Sequence, residues 1–352
     1  MSRALVTGGG GFIGRHVVRE LLDAGLDVTV MLGPGETEAL LSGLDVASVR
    51  GDVRDLPSLD AAIAGHRYVV HLAAIYSLWM PDWRPLYDVN VQGTANVLRA
   101  CADAGVERTV YTSSIVALGV PEGREPATED TAFDQHGRCT HYALSKHYAE
   151  RRVRTAQAAG QPVVTVYPAM PFGPGDHRPT PTGLFLLRAL GGAYFAVSPG
   201  GINAVDVRDV ARGHRLALES GEDGRSYLLS GHDLTMEEAF LKIQAAGGVS
   251  RPFLRTPGRL LQVLGRIGDL VGHVTEPLLD TASLETTSQH LTYDCSRAER
   301  ELGYHRRPIE ETFADAVAWF RDHGYPEPGM RLWDLASRRK MRAAAARTLR
   351  GE

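Results

Sequence analysis

Tyr142 and Lys146 stand four residues apart in the run Tyr142-Ala143-Leu144-Ser145-Lys146, a separation that puts both side chains on one face of a helix. An ammonium beside a phenol favours phenolate and lowers a pKa that starts at about 10, bringing Tyr142 towards general acid/base work. The same spacing also describes two surface residues on any exposed helix, so position must decide. A second chemical signal is the run Thr7-Gly8-Gly9-Gly10-Gly11-Phe12-Ile13-Gly14, which follows a β-branched segment and opens into a helical pattern. One glycine allows a tight turn, another lets the backbone approach a diphosphate, and the last lets the helix lie close on the strand. The helix N-terminus then faces the anion. Other chemistries lack their residues. The 13 histidines show no HExxH and no pairing with cysteine, and no GxSxG elbow is present. His141 and His147 flank the Tyr142 segment and read either as pocket-shaping or as solvent-facing.

The elements that must carry these groups are legible as alternation. Short apolar runs at 4–7, 28–32, 46–50, 68–72, 109–113 and 163–167 read as strands, with helical stretches between them, which is the pattern of a parallel α/β sheet. Residues 12–24 place Ile13, Val17, Leu21 and Leu22 on one helical face, and residues 87–104 do the same with Val91, Ala95, Leu98 and Ala102. After Tyr167 a Pro- and Gly-rich run leads into mixed elements without steady alternation. The expected division is 1–167 for a dinucleotide-holding part, 168–330 for a substrate-holding part that returns elements to the first, and 331–352 for a tail. That tail carries seven basic residues against two acidic ones and reads as a solvated basic helix, membrane or partner docking being the lesser alternative.

Composition narrows the function class. The 352 residues carry 38 Lys plus Arg against 42 Asp plus Glu, a net charge of −4 that gives no electrostatic reason to expect nucleic acid or an anionic membrane. A small-molecule substrate is the default. Cys101, Cys139 and Cys295 are too few and too far apart for a disulfide framework or a zinc site, which fits a reducing cytoplasm. No stretch approaches the roughly 18 apolar residues of a membrane span, and no signal-peptide pattern precedes the first strand.

The glycine run resembles the TGxxGxxG of the extended short-chain dehydrogenase/reductase superfamily, the NAD-dependent epimerase/dehydratase proteins, and further segments agree in register. Arg50-Gly51-Asp52-Val53, His71-Leu72-Ala73-Ala74 and Asn90-Val91-Gln92-Gly93-Thr94 match its motifs, and Tyr142-xxx-Lys146 matches its YxxxK. The texture of 86–98, 172–183 and 202–214 is similar to dihydroflavonol reductase-like proteins and hopanoid-associated sugar epimerases. The resemblance implies a Rossmann-type doubly wound sheet with a smaller mixed C-terminal part. It implies a catalytic set of Ser114, Tyr142 and Lys146, with Ser113 the fallback for the serine and Asn90 in a structural or water-organising part. It assigns cofactor contacts to Gly8, Gly11, Phe12, Ile13, Gly14, Arg15, Asp52, Val53, Leu72, Ala73, Ala74, Tyr142, Lys146 and Pro168, Asp52 taking the adenine amino group. A homodimer through the helices of Asn90 and Tyr142 is also implied.

Cofactor choice normally sits at the end of the second strand, where an acid bonds the ribose 2′-hydroxyl or an Arg pairs with a 2′-phosphate. Leu32 and Gly33 supply neither, and with Arg15, Arg50 and Arg54 nearby the balance leans from NAD to NADP(H). Ile202 and Met170 fall where nucleotide-sugar relatives carry Arg and Asn, which disfavours a diphosphate substrate. Met170, Phe172, Phe185, Tyr194 and Phe195 could instead line an apolar cavity or pack a core, and the loop of Trp79, Met80, Pro81 and Trp83 is expected to lean over the nicotinamide end. The expected activity is carbonyl–alcohol interconversion on a small, partly apolar metabolite. The alternatives are an epimerase or dehydratase with retained cofactor, and a silent binder that senses nicotinamide redox state.

Overall fold

Runs of Val, Leu and Thr too short for helices become strands because their branched side chains pack well on a pleated surface. The computed structural model describes residues 2–121, 125–137, 139–192, 196–257, 263 and 292–327. In chain order its strands are β1 Arg3–Thr7, β2 Asp27–Leu32, β3 Ala47–Arg50, β4 Tyr68–His71, β5 Arg108–Thr112, β6 Val163–Pro168, β7 Met170–Phe172, β8 Ala196–Val197, β9 Gly201–Asp206, β10 Ser226–Leu229, β11 His232–Thr235 and β12 Leu254–Arg255. The principal sheet has the order β10-β6-β5-β4-β1-β2-β3 with every pair parallel. Its first six strands start and end within one residue of the expected runs. The seventh, β10, was not visible because the second half lacks alternation. It reaches the sheet only by pairing along β6.

Helices cover both faces. On one lie α1 Phe12–Asp23 and α7 Val207–Ser220; on the other lie α2 Leu56–Ile63, α4 Thr94–Asp103 and α5 His141–Ala158. A short helix α3, Arg84–Tyr87, continues through a π turn, Asp88–Gly93, into α4. That turn corrects the expected face of residues 87–104. A wider turn shifts the phase of everything after it, so the buried stripe runs through Thr94, Val97, Leu98 and Cys101 while Ala102 is exposed.

A smaller mixed sheet, β11-β9-β7, packs with α6 Pro181–Gly191, α8 Met236–Ala246 and α10 Ile309–Asp322. Phe172 and Phe185 belong to this second core, edge-to-face with Phe313 and Phe240 at centroid distances of 5.3 and 5.4 Å. They are core rather than cavity lining, and Met170 packs at their edge. Tyr194, Phe195 and the tail 331–352 lie outside the described residues. No helix among the described residues is long and apolar enough to cross a membrane.

The two cores are joined by buried charge. Asp206 caps α7 by accepting from the Arg208 N–H at 2.8 Å, and Asp209, 1% exposed, accepts from the Arg307 backbone and guanidinium at 2.8 and 3.0 Å. Arg307 begins the approach to α10, and removing the acid would take away its closest ionic partner, leaving Asp206 at 3.8 Å and Glu311 at 4.0 Å. Breaking a buried pair from one side costs about 3–5 kcal/mol. Asp209→Ala is therefore expected to lower the urea midpoint by a loss of that order. A midpoint within error of wild type would show that α7 does not anchor the C-terminal helix this way.

Candidate active site

The turn from β1 to α1 is built by close approach. Gly8 has φ +71°, and a Cβ on it would stand 2.7 Å from the Ala73 nitrogen. A Cβ on Gly14 would stand 2.1 Å from the Gly8 carbonyl oxygen. The first position needs glycine for its left-handed backbone and the second so the helix can sit on the turn. Helix α1 has no side-chain cap and no acid in its first turn, so its N–H groups and dipole remain available to an anion. This fits a dinucleotide pyrophosphate. The Gly11 N–H closes the turn onto the Gly8 carbonyl at 3.0 Å, with Phe12 buried and Ile13 half-buried behind it. Leu72 and Ala73 donate to the Thr7 carbonyl and hydroxyl at 3.1 and 3.2 Å, laying the 72–74 backbone beside the turn with Ala74 exposed. Pro168 is buried at the end of β6.

The other end of this cleft differs from the expectation. Arg54 grips both oxygens of Asp52 at 3.0 and 2.7 Å, and this bonding holds the carboxyl below its ordinary value. Val53 is buried, packed so that a Cβ on Gly93 would meet it at 2.7 Å. Arg15 bonds the carbonyls of Leu40 and Ser42, and Arg50 bonds that of Glu36 at 2.5 Å. All three guanidinium groups counted as 2′-phosphate partners are thus engaged. At the tip of β2 lies a carboxylate instead: Glu36 Oε2 accepts from the Gly33 N–H at 2.8 Å. Counting along β2 missed it because it comes from the loop; the turn at Gly35, with φ +77°, folds it back.

The acid/base residues gather at the carboxyl end of β5. Thr140 caps α5 by accepting from the Ala143 N–H at 3.2 Å, which fixes Tyr142 in the first turn. The Ser114 hydroxyl reaches the Tyr142 phenol, whereas Ser113 turns to the other side and donates to buried Glu150 at 3.4 Å. Lys146 is buried, donates from Nζ to the Thr112 carbonyl at 2.9 Å and lies 5.5 Å from the centre of the Tyr111 ring. Burial pulls its pKa down to about 8. Burial also pushes the Tyr142 phenol well up, with Tyr76 adding to the rise and Ser114 opposing it. The expected lowering by Lys146 is therefore not what governs the phenol in the free protein. Asn90 is wholly buried and organises backbone rather than facing the site. Its Oδ1 accepts from the Ile75 N–H at 2.8 Å and its Nδ2 donates to the Ile75 carbonyl at 3.0 Å and Ser145 at 2.9 Å.

Two residues at the site went unread in the sequence. Tyr76, 40% exposed, places its ring 4.6 Å from that of Tyr142, on the same loop as Trp79 and Trp83. Its signal was its place just after the 71–74 segment. His141 stacks on Trp83 at 4.4 Å and bonds the Tyr87 hydroxyl at 2.9 Å, and His147 stacks on Phe133 at 4.2 Å. Both histidines therefore serve outer aromatic pairs. Ile202 is buried in the second core.

With this geometry in view, comparison with known proteins is specific. The model of the NAD dependent epimerase/dehydratase family matches residues 4–230. A Synechocystis protein provisionally named dihydroflavonol 4-reductase is 36% identical over 91% of this chain and 95% of its own length. Sterol demethylase protein B of Methylococcus capsulatus is 34% identical over 91% of this chain and 98% of its own. The crystal structure of gox2253 superposes with a TM-score of 0.84 at 34% identity, covering 93% of this chain and all of that one.

The second unread residue, Asp176, lies behind Tyr76. It is buried, accepts from the Thr180 N–H and hydroxyl at 2.9 and 2.8 Å, and burial raises its carboxyl to about 7 against those bonds. The folded state therefore keeps a proton that the unfolded chain releases from about pH 4 upward. Its stabilising contribution is complete below that range and lost as pH rises through about 7. Asp176→Asn removes the titration, so its thermal midpoint relative to wild type should rise between pH 5 and pH 8. An identical offset at both pH values would show that this carboxyl does not titrate there.

Proposed function

Because the chain belongs to the NAD dependent epimerase/dehydratase family, we propose that it interconverts a carbonyl and an alcohol on a small, partly apolar metabolite. The observation that carries this is the grouping of the Ser114 hydroxyl, the Tyr142 phenol and buried Lys146 at the carboxyl end of β5, two strands from the glycine turn of β1. Ligands of open α/β sheets bind beyond that edge. The dinucleotide, when bound, supplies or takes the hydride. In the reductive direction Tyr142 gives its proton to the substrate oxygen, a role suited to a phenol that burial keeps protonated. Ser114 holds the same oxygen, and Lys146 stabilises the phenolate left behind. In oxidation the proton returns along the same path.

Net redox turnover is favoured over transient oxidation of a sugar nucleotide. Ile202 is packed in a core where a cation would be needed, and a buried diphosphate without partners is costly. The names of the reductase and sterol-processing relatives support an apolar carbonyl compound. For the cofactor we read NAD(H) rather than the NADP(H) that free arginines would favour, since the Glu36 carboxylate is the side chain bonded at the tip of β2 and would repel a 2′-phosphate. The same reading takes residues 1–167 as the dinucleotide part and 168–330 as the substrate part. It also takes the face bearing the Trp83–His141 and Phe133–His147 pairs as a homodimer contact.

Tyr142→Phe should lower turnover by about a hundredfold or more while NADH fluorescence titration gives wild-type affinity; undiminished turnover would sink the assignment. Glu36→Gln should narrow the preference for NADH over NADPH by about tenfold in the same binding assay, and an unmoved ratio would release Glu36 from that role.

A further inference from the structure

We propose that His71 is a positioning residue for Tyr142, acting through Thr94, Asn90 and Ser145 along two buried runs of hydrogen bonds that meet at Asn90, one on its main-chain carbonyl and one from its side-chain amide. The inference rests on Tyr142 as the acid/base. Each step is short and hidden from solvent. Thr7 Oγ1 meets His71 Nδ1 at 2.7 Å, His71 Nε2 meets Thr94 Oγ1 at 3.1 Å, and Thr94 Oγ1 donates to the Asn90 carbonyl at 2.7 Å. Asn90 Nδ2 donates to Ser145 Oγ at 2.9 Å, and Ser145 Oγ donates to the carbonyl of Tyr142 itself at 2.8 Å. Thr7, His71, Thr94, Asn90 and Ser145 are each at most 1% exposed.

Proton counting fixes the direction of every link. A carbonyl only accepts, so the single hydroxyl proton of Thr94 belongs to Asn90, and Thr94 must receive the N–H of His71 at Nε2. Burial, with Lys146 nearby, pulls the His71 pKa down to about 3, so the ring is neutral and Nδ1 accepts the Thr7 proton. Thr7 in turn accepts from the Ala73 N–H at 3.2 Å. The two Nδ2 protons of Asn90 go to Ile75 and Ser145, and Ser145 passes its own to Tyr142. These links donate from the glycine turn towards the first turn of α5.

Such a chain does more than fill space. Apolar side chains of similar volume would close the same gap without desolvating one ring and three hydroxyl groups. What only the polar set achieves is fixed geometry among three parts of the site. Thr7 opens the glycine turn, Asn90 grips both backbone groups of Ile75 and so seats Tyr76 against Tyr142, and Ser145 holds the Tyr142 backbone. The π turn is where the helix departs from α geometry to bring Asn90 inward, and Thr94 ties its carbonyl.

Thr94→Val keeps the shape and removes the central hydroxyl, whereas Thr94→Ser keeps the hydroxyl. With NADH, Thr94→Val is expected to lower kcat about tenfold or more. KM and dinucleotide affinity should stay within about twofold, and the pH of half-maximal alcohol oxidation should move upward; Thr94→Ser should recover most of the rate. Thr94→Val combined with Ser145→Ala should lose little beyond the worse single variant, because the runs they break meet at Asn90. A lowered thermal midpoint with wild-type kcat and pH profile would overturn the proposal, as would equal loss in Thr94→Ser or full additivity. Nitrogen-15 spectra of the intact protein read the His71 tautomer without substrate: neutral Nε2–H at pH 5 is expected, and Nδ1–H would overturn the chain. A protein whose Tyr142→Phe variant keeps its turnover, with the His71 tautomer as stated, would locate the failure in the functional reading instead.

Discussion

The approach of the Gly8 backbone to Ala73 sets the spacing on which the rest of the site is built. With a Cβ excluded from Gly8 by a 2.7 Å contact, the ends of β1 and β4 close to hydrogen-bonding distance. That closeness leaves α1 with bare N–H groups at the mouth of the sheet, and it lets Thr7 reach His71. One strand further along, β5 delivers Ser114 and, across from it, α5 delivers Tyr142. A side chain of any size at Gly8 would separate the dinucleotide turn from the loop that bears Tyr76, so a backbone constraint at one residue governs chemistry assembled from four segments.

Electrostatics in the free protein invert the simplest account of the tyrosine. Spacing on the helix brings a lysine beside a phenol, and water-like reasoning then predicts a depressed phenol. Burial acts on both partners in the opposite sense: it favours the neutral form of each, lifting Tyr142 and bringing Lys146 down to about 8. The lysine directs one of its N–H donors to the Thr112 carbonyl. For carbonyl reduction this arrangement is coherent, because the group required at the start is a protonated phenol and the cation is required only once the proton has left.

Much of this was legible in the sequence for identifiable reasons. Five of the six N-terminal strands declared themselves because parallel strands buried on both faces are continuous apolar runs, while β3 at the exposed edge was read from its β-branched residues. The glycine turn and the Tyr142–Lys146 pair were readable because local geometry fixes their spacing. What was hidden depended on tertiary contact. Strand β10 has meaning only beside β6, the π turn changes the face of α4 without a composition signal, and Asp176 is unusual only because the fold buries it. Ser114 and Ser113 are adjacent and chemically alike, and the backbone just past the end of β5 sends one to the phenol and the other to Glu150.

Charged residues taught the reverse lesson about reading from proximity in sequence. Arg15, Arg50 and Arg54 lie near the cofactor end of the sheet, yet the carbonyls of Leu40, Ser42 and Glu36 and the carboxylate of Asp52 claim them. The Arg15 and Arg50 bonds hold the loop after β2 in place, and the held loop returns Glu36 to the Gly33 backbone. On the NAD(H) reading proposed above, the basic residues would act on cofactor choice indirectly, by holding the loop that carries Glu36. Burial of Ile202 follows the same logic at the substrate end, since an apolar side chain packed into the second core removes an anion site without adding any repulsive group. On the proposed function, ligand selection would be set by which charges the fold has already satisfied.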